Sequence, residues 1–285
     1  MEIFSGVSEG VLRFSIFASV LVLMASLEFI LPRRKLSAPK LKRWATNFLI
    51  VGIDTAFVRA MGALAIPLAA VATAIWAESA GWGLFNLTSW PVWVEVLLAI
   101  LILDFAIWVQ HVASHKIPVL WRLHQMHHAD VDIDVSTAIR FHPIEIALSM
   151  LWKIVCVLAL GPAAIAVVLF EVLLNASAMF NHANVRLPQR LDAILRQVIV
   201  TPDMHRIHHS IKRREHDSNY GFALSIWDRW LGTYTAEPVG GQTGMTIGLP
   251  DYQSEEPTKL FWSLMLPFRK LRHTTSSQTP VSEDR

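Results

Sequence analysis

Apolar runs long enough to cross a bilayer alternate along this chain with short polar connections, and that alternation predicts the elements. Residues 11–31 (VLRFSIFASVLVLMASLEFIL) form the first run, close to the roughly 20 residues a helix needs to span hydrocarbon. It is too long for a signal-peptide core and lacks a cleavage site, so it reads as an uncleaved span. The next stretch, 32–43, carries Arg33, Arg34, Lys35, Lys40, Lys42 and Arg43. By the positive-inside rule it is cytoplasmic, which puts the acidic N-terminus (Glu2, Glu9) outside.

A second crossing is expected at 58–76, with 46–57 as its interfacial approach. Asp54 and Arg59 are expected to pair inside the bundle, a substrate or headgroup role being the alternative. Residues 77–91 contain no Lys or Arg, as an external loop should, and a third crossing at 91–109 returns the chain to the cytoplasmic side. The run 144–180 is broken by Gly161-Pro162 into two segments of about 16 and 18 residues, each about 24–27 Å long. It reads as a hairpin, down and back, in which Lys153 sits awkwardly mid-helix unless the hairpin penetrates only partly. From 182 onward the chain is polar. Residues 252–272 mix Leu260, Phe261, Trp262, Leu264, Leu266 and Phe268 with Lys259, Arg269, Lys270 and Arg272, which suits an amphipathic segment on the membrane surface. The tail HTTSSQTPVSEDR reads as disordered.

The fold class is therefore all-α, a polytopic membrane helix bundle of about four to five crossings with a cytoplasmic His-rich helical cap. Three regions follow: N-terminal transmembrane helices at 1–110, a His-rich catalytic region at 111–250 that includes the membrane hairpin 144–180, and an amphipathic segment with its tail at 251–285. Composition agrees: 53% of the 285 residues are hydrophobic and 17% charged, with a mean hydropathy of +0.40, too apolar for an ordinary soluble domain. The basic clusters come with no base-reading motif, which argues against nucleic acid. The single cysteine, Cys156, excludes disulfides and a Cys-ligated Fe–S cluster within one chain, and reads as a small hydrophobe.

Chemistry enters with histidine. Ten of the twelve histidines lie between His111 and His209. His111 and His115 are four apart; His124, His127 and His128 form HxxHH; His205, His208 and His209 repeat it. On a helix such spacings put imidazoles on one face, where one turn can grip one ion. Neutral imidazole ligates Fe, Zn, Cu or Ni. Eight histidines exceed what one zinc needs and suit two ions with open positions at a membrane face, an arrangement fit for oxygen activation by iron. A zinc hydrolase would need a general base, and H-E-x-x-H is absent. A metal transporter would place its ligands within the crossings, near the midplane. Asp104, Trp108, His111 and His115 share one helical stripe, which makes Asp104 either an acceptor behind a ligand or a helix–helix hydrogen bond. The alternating acids Asp130, Asp132 and Asp134 read as a solvated loop, and His216 and His273 as surface histidines.

HVASH, LWRLHQMHH, RFHPIE, FNHANVRLP and TPDMHRIHHS…DSNYGFALSIWDRWLGTY together resemble the fatty acid hydroxylase/sterol desaturase superfamily of integral membrane di-iron enzymes, over about residues 95–250. The stretch Thr201 to Tyr234 is most similar to its alkylglycerol monooxygenase branch. The resemblance implies that His111, His115, His124, His127, His128, His205, His208 and His209 are iron ligands, joined by His182. Where some hydroxylases carry HxxxH before the last triplet, this chain has Ala178, so Asn181 or Asn175 is a candidate to complete a shell through water. His142, in R-x-HP-x-E, is either a ligand or a hydrogen-bond partner of Glu145 or of a ligand. Asp217 is placed to orient a ligand imidazole, Gly221 to permit a turn, and Trp227 and Trp230 to anchor at the membrane face.

The implied activity is O₂-dependent hydroxylation or desaturation of an unactivated C–H bond in a fatty acyl, sterol or alkyl-chain lipid, or ether-lipid cleavage, at two Fe ions. No residue here stores electrons, so a separate donor is implied: a ferredoxin, a cytochrome b5-like protein or a reductase. A bacterial inner membrane is the expected location, with the active site on the cytoplasmic side.

Overall fold

A computed structural model describes residues 8–63 and 69–269. Nine helices carry the main argument: α1 (Glu9–Ile30), α2 (Lys40–Ala63), α3 (Ala70–Ser79), α4 (Val92–Lys116), α5 (Pro118–His128), α6 (Pro143–Leu160), α7 (Ala164–His182), α8 (Gln189–Leu195) and α9 (Pro202–His208). No β-strand is present among the described residues, so the chain is an all-α membrane bundle with a histidine-rich cap. Four helices, α1, α4, α6 and α7, are long and apolar enough to cross a membrane. α1 shows why: Ser8 caps it by accepting from the Val11 amide, only Met24 and Glu28 are buried, and Phe14 and Phe29 stand exposed, as lipid-facing side chains do. α4 packs against α5, α6 and α7, and α1 against α7.

The expected crossing at 58–76 is corrected. α2 runs on past Arg59 to Ala63 and a second short helix starts at Ala70. The Asp54–Arg59 pair does not form among the described residues. Asp54 is buried while Arg59 is exposed, because five residues along a helix turn the chain by about 140°. The buried stripe of α2 is mostly polar (Arg43, Thr46, Asn47 and Asp54, with Ile50 among them), with Leu41, Phe48, Leu49 and Ile53 outward.

The hairpin break falls where expected. Gly161 ends α6 at φ 61°, in the left-handed region that favours glycine. A Cβ there would lie 2.1 Å from the Trp82 carbonyl oxygen, and one on Gly83 (φ 100°) would lie 2.4 Å from the Gly161 nitrogen. Asn86 Nδ2 bridges the two backbones at 2.8 Å to both Trp82 and Gly161 oxygens. The loop after α3 is thus locked onto the hairpin tip. Lys153 is not stranded: it pairs across the hairpin with Glu171, whose carboxylate also takes Arg13 of α1. Three ionisable groups on three helices satisfy one another inside the bundle, which removes the need for a partly inserted hairpin.

At the other end, the basic stretch after α1 is built into the cap. Arg43 reaches Asp130 at 2.7 and 2.8 Å and also pairs with Asp134, and two backbone amides, of Ser37 and Ala38, donate to Asp132 at 2.8 Å. The three aspartates are therefore buried anchors and not a solvated loop. The segment from Leu260 turns Trp262 and Leu266 inward against Ala129 and Tyr252 while Phe261 and Phe268 face out. The tail from 273, with His273, lies outside the described residues.

Candidate metal centre

Each histidine arrives on a helix end. α4 overshoots its apolar run by about two turns, so His111 and His115 emerge beyond it; Pro118 then starts α5, which carries His124, His127 and His128. His182 is the last residue of α7, and α9 carries His205 and His208 with His209 at its C-cap. The nine imidazoles are all buried and fall into two groups. His111, His115, His124, His128 and His208 form one, and His127, His182, His205 and His209 the other; within each, the donor atoms lie within 4.8 Å of one another.

Hydrogen bonds behind the rings fix which nitrogen faces inward. His111 Nδ1 donates to the Tyr220 carbonyl at 2.7 Å, His127 Nδ1 to Arg140 at 3.2 Å, His182 Nδ1 to Ala178 at 2.8 Å and His208 Nδ1 to Ser218 at 2.7 Å. His124 Nδ1 donates to Glu145 at 2.6 Å. A carbonyl only accepts, so these rings carry their proton on Nδ1 and leave a bare Nε2 lone pair pointing at their neighbours. Yet Nε2 of His182 lies 3.1 Å from Nε2 of His127, and Nε2 of His111 lies 3.2 Å from that of His124. Converging lone pairs repel unless a cation sits among them. Further ring nitrogens, on His115, His128, His205, His208 and His209, are buried without any hydrogen-bond partner. Leaving such groups unsatisfied costs about 1–3 kcal/mol each. The residues fit two metal ions. Burial first, then neighbouring imidazoles, push His127, His128, His205, His208 and His209 well below the ordinary histidine pKa. They stay neutral, the form that ligates.

The other candidates divide. Glu145 sits behind His124, as an orienting carboxylate should. Asp104 does not reach His111; it accepts from the Trp227 indole at 2.8 Å and from the Ala223 and Leu224 amides at 3.3 Å, so it clamps α4 to the segment after the last triplet. His142 belongs to neither group: it caps α6 through the Ile144 amide, and its Nε2 faces the Leu264 carbonyl at 3.2 Å. Asn181 donates to the Phe222 carbonyl, and Asn175 to that of Glu171. Asp217 lies 3.6 Å from His115 Nδ1, longer than a hydrogen bond, and holds Lys116 and Arg213. His216 is not a surface histidine. It is buried with its ring centroid 4.4 Å from His128, and burial drives its pKa down to about 3.

Sequence reasoning missed the role of the D-x-N-Y-G segment. Asn219 adopts φ 52° and donates to the Met204 carbonyl at 2.9 Å, which folds the segment back so that Ser218 and Tyr220 offer their carbonyls to His208 and His111. Asp228 secures it by accepting from the Tyr220 and Gly221 amides and the Trp108 indole. Trp227 is thereby a clamp, whereas Trp230 stands exposed. Every residue carries a backbone carbonyl, so no residue type announced this contact.

A cavity of about 400 Å³ opens beside the five-histidine group. His111, His124, Phe141 and Phe222 line its inner end, Ile107, Ile146, Met150 and Leu174 its walls, and Arg13, Lys153 and Glu171 the far end. Eleven residues of α7 separate Glu171 from His182, about 16 Å along the helix.

The family model "Fatty acid hydroxylase" matches residues 96–233. Among curated proteins, the chain is 28% identical over 200 residues to "Ornithine lipid hydroxylase OlsE" of Rhizobium tropici, covering 70% of this chain and 56% of that protein. It is 30% identical over 185 residues to the human "Alkylglycerol monooxygenase", covering 62% of this chain and 38% of that protein. The Xenopus tropicalis alkylglycerol monooxygenase is 30% identical over 157 residues. The chain thus spans between about a third and about a half of the length of these relatives. No solved structure matches.

Proposed function

Residues 96–233 match the fatty acid hydroxylase family model, and on that premise we propose that the chain is a membrane-bound non-haem di-iron oxygenase that hydroxylates or desaturates an unactivated C–H bond of a lipid, using O₂ and external electrons. The observation that carries this reading is the pair of adjacent imidazole groups, their Nε2 lone pairs converging, beside a cavity lined by a mixture of apolar and polar side chains. His111, His115, His124, His128 and His208 would hold one iron, and His127, His182, His205 and His209 the other. Bound iron supplies reductive activation of O₂, a chemistry no side chain here provides.

The protein's own part is positional. Glu145 and the carbonyls of Ser218, Tyr220, Arg140 and Ala178 hold five imidazoles in one tautomer, so the ligands need little rearrangement. The walls from Ile107, Ile146, Met150 and Leu174 exclude water and align a hydrocarbon chain, so that proximity selects which carbon reacts. The charged far end, Arg13 with Lys153 and Glu171, suits a lipid that carries polar groups at one end. The named relatives, an ornithine lipid hydroxylase and two alkylglycerol monooxygenases, support lipid hydroxylation first and ether-lipid oxidation as a second reading. The region 111–250 is the catalytic unit, preceded by the membrane helices of 1–110. The basic stretch 32–43 packs at the histidine end of the bundle, which favours a cytoplasmic active site, in a bacterial inner membrane. Electrons would come from a separate ferredoxin, cytochrome b5-like protein or reductase.

Iron content and Mössbauer spectra of detergent-purified protein, recorded before and after exposure to O₂, test the reading. About two irons per chain, oxidised by O₂ and lost or halved in His127→Ala and His208→Ala, are expected. Tightly held zinc with no oxygen-responsive iron after iron-supplemented expression overturns it.

A further inference from the structure

His216 and Asp217 are left over once both histidine groups are assigned, and neither behaves as a surface residue. His216 closes the four-residue helix α10 (Arg213–His216). Its ring is wedged between His128, His115 and Trp121, at centroid distances of 4.4, 4.7 and 4.9 Å. Both of its ring nitrogens are buried and make no hydrogen bond. Asp217 sends Oδ2 to Lys116 at 3.0 Å and Arg213 at 2.7 Å, yet its buried Oδ1 makes no hydrogen bond of ordinary geometry, with the Tyr220 hydroxyl near the carboxylate. His115 has no hydrogen-bond partner on either nitrogen, and its Nδ1 lies 3.6 Å from that Oδ1. One donor atom from each of the three residues lies within 4.8 Å of the others. Buried polar atoms without partners are rare, and several converging from three side chains mark a place built for something not among the protein's own atoms.

We propose that His115, His216 and Asp217 form a third cation position on the outer side of the five-histidine group, taking a divalent transition-metal ion. Two imidazoles and one carboxylate are a donor set suited to such an ion. This position differs from the buried pair in access. The Asp217 side chain is 17% exposed, next to Lys116 at 52% and Arg213 at 64%, whereas the histidines of the two groups are each 4% exposed or less. Lys116 and Arg213 also drain negative charge from the carboxylate, so this is the weak, exchangeable site of the three. His115 has two ring nitrogens, so an ion here stands one ligand away from the five-histidine group, and with both positions filled the ring would bridge them as an imidazolate, its proton released to solvent. The third position therefore serves as a way in for metal bound for the buried centre.

The inference rests on the two-ion reading, and Co(II) separates the two. Metal-free full-length protein in detergent is titrated with Co(II), followed by visible absorption and by metal analysis before and after gel filtration. The expected result is three equivalents at saturation, of which two survive gel filtration. His216→Gln and Asp217→Asn should each bind two, with the same elution volume and helical circular dichroism as the parent, and should fill those two more slowly. A parent that saturates at two equivalents overturns the third site and leaves the two-ion reading intact, as does a third equivalent that persists in both variants. A parent that retains none after gel filtration overturns both.

Discussion

Behind His124 lies Glu145 at 2.6 Å, among the described residues the one side-chain carboxylate hydrogen-bonded to a member of the two groups; the other four fixed rings lean on backbone carbonyls. That difference makes Glu145 the point where a substitution can loosen one ligand without moving the chain. Glu145→Ala should weaken metal binding about 10- to 100-fold, with Glu145→Gln recovering part of the loss because its amide oxygen still accepts from Nδ1. Competition with a chromophoric chelator measures it, and equal affinities in all three proteins would remove Glu145 from the centre. Residue spacing in the sequence located eight of the nine buried imidazoles, since i, i+3 and i+4 positions meet on a helix; His182 came from the family resemblance. Spacing did not separate His142 from them, because an HP pair opening a helix looks like a ligand until the ring is found capping α6. Nor did it place His216 inward: a lone histidine among arginines reads as surface, and only the fold of 210–217 against α4 and α5 brings it to His128.

At the scale of elements, the cap is tied to the bundle by Arg43 of α2, fully buried with Asp130 and Asp134. Removing one partner of a buried ion pair is costly, so Arg43→Met should destabilise the protein by about 3–5 kcal/mol, read as a lower thermal midpoint in detergent. The sign of its pH dependence follows from Asp130. Burial pushes that carboxyl up, but Arg43 outweighs it and holds it below its ordinary value. Its stabilisation is therefore complete above the ordinary carboxylate pKa of about 4, and is lost as pH falls through the lowered value. In Arg43→Met the largest downward influence is gone, leaving Arg140 and Asn47 against the upward push of burial, so acid unfolding should begin at higher pH than in the parent; an unchanged acid limb would contradict this account. The sequence had marked 130–134 as solvated, since alternate aspartates carry no sign of their partner 87 or more positions away. The hairpin break, by contrast, was legible in Gly161-Pro162, because it depends on local backbone freedom alone.

For the whole molecule, the cavity between the charged triad and the histidines is what would let the proposed metal centre act on a lipid. Met150→Trp places an indole in its wall. It should lower turnover of a long-chain lipid about 10- to 100-fold through misplacement of the reacting carbon, while leaving iron content unchanged; product assays alongside metal analysis decide it. Loss of iron together with turnover would mean that this wall supports the centre and does not shape the substrate. Apolar runs, the helix-breaking pair at 161–162 and three histidine spacings, read from the sequence alone, determined an all-helical membrane chain with imidazoles gathered for metal, because these depend on period, length and local chemistry. Only the tertiary structure decided how the histidines divide between two groups, that Lys153 is neutralised by Glu171, that the aspartates of 130–134 are buried anchors, and that His216 faces inward. Each of those is a contact between distant positions, set by how helices pack, and no local pattern encodes it.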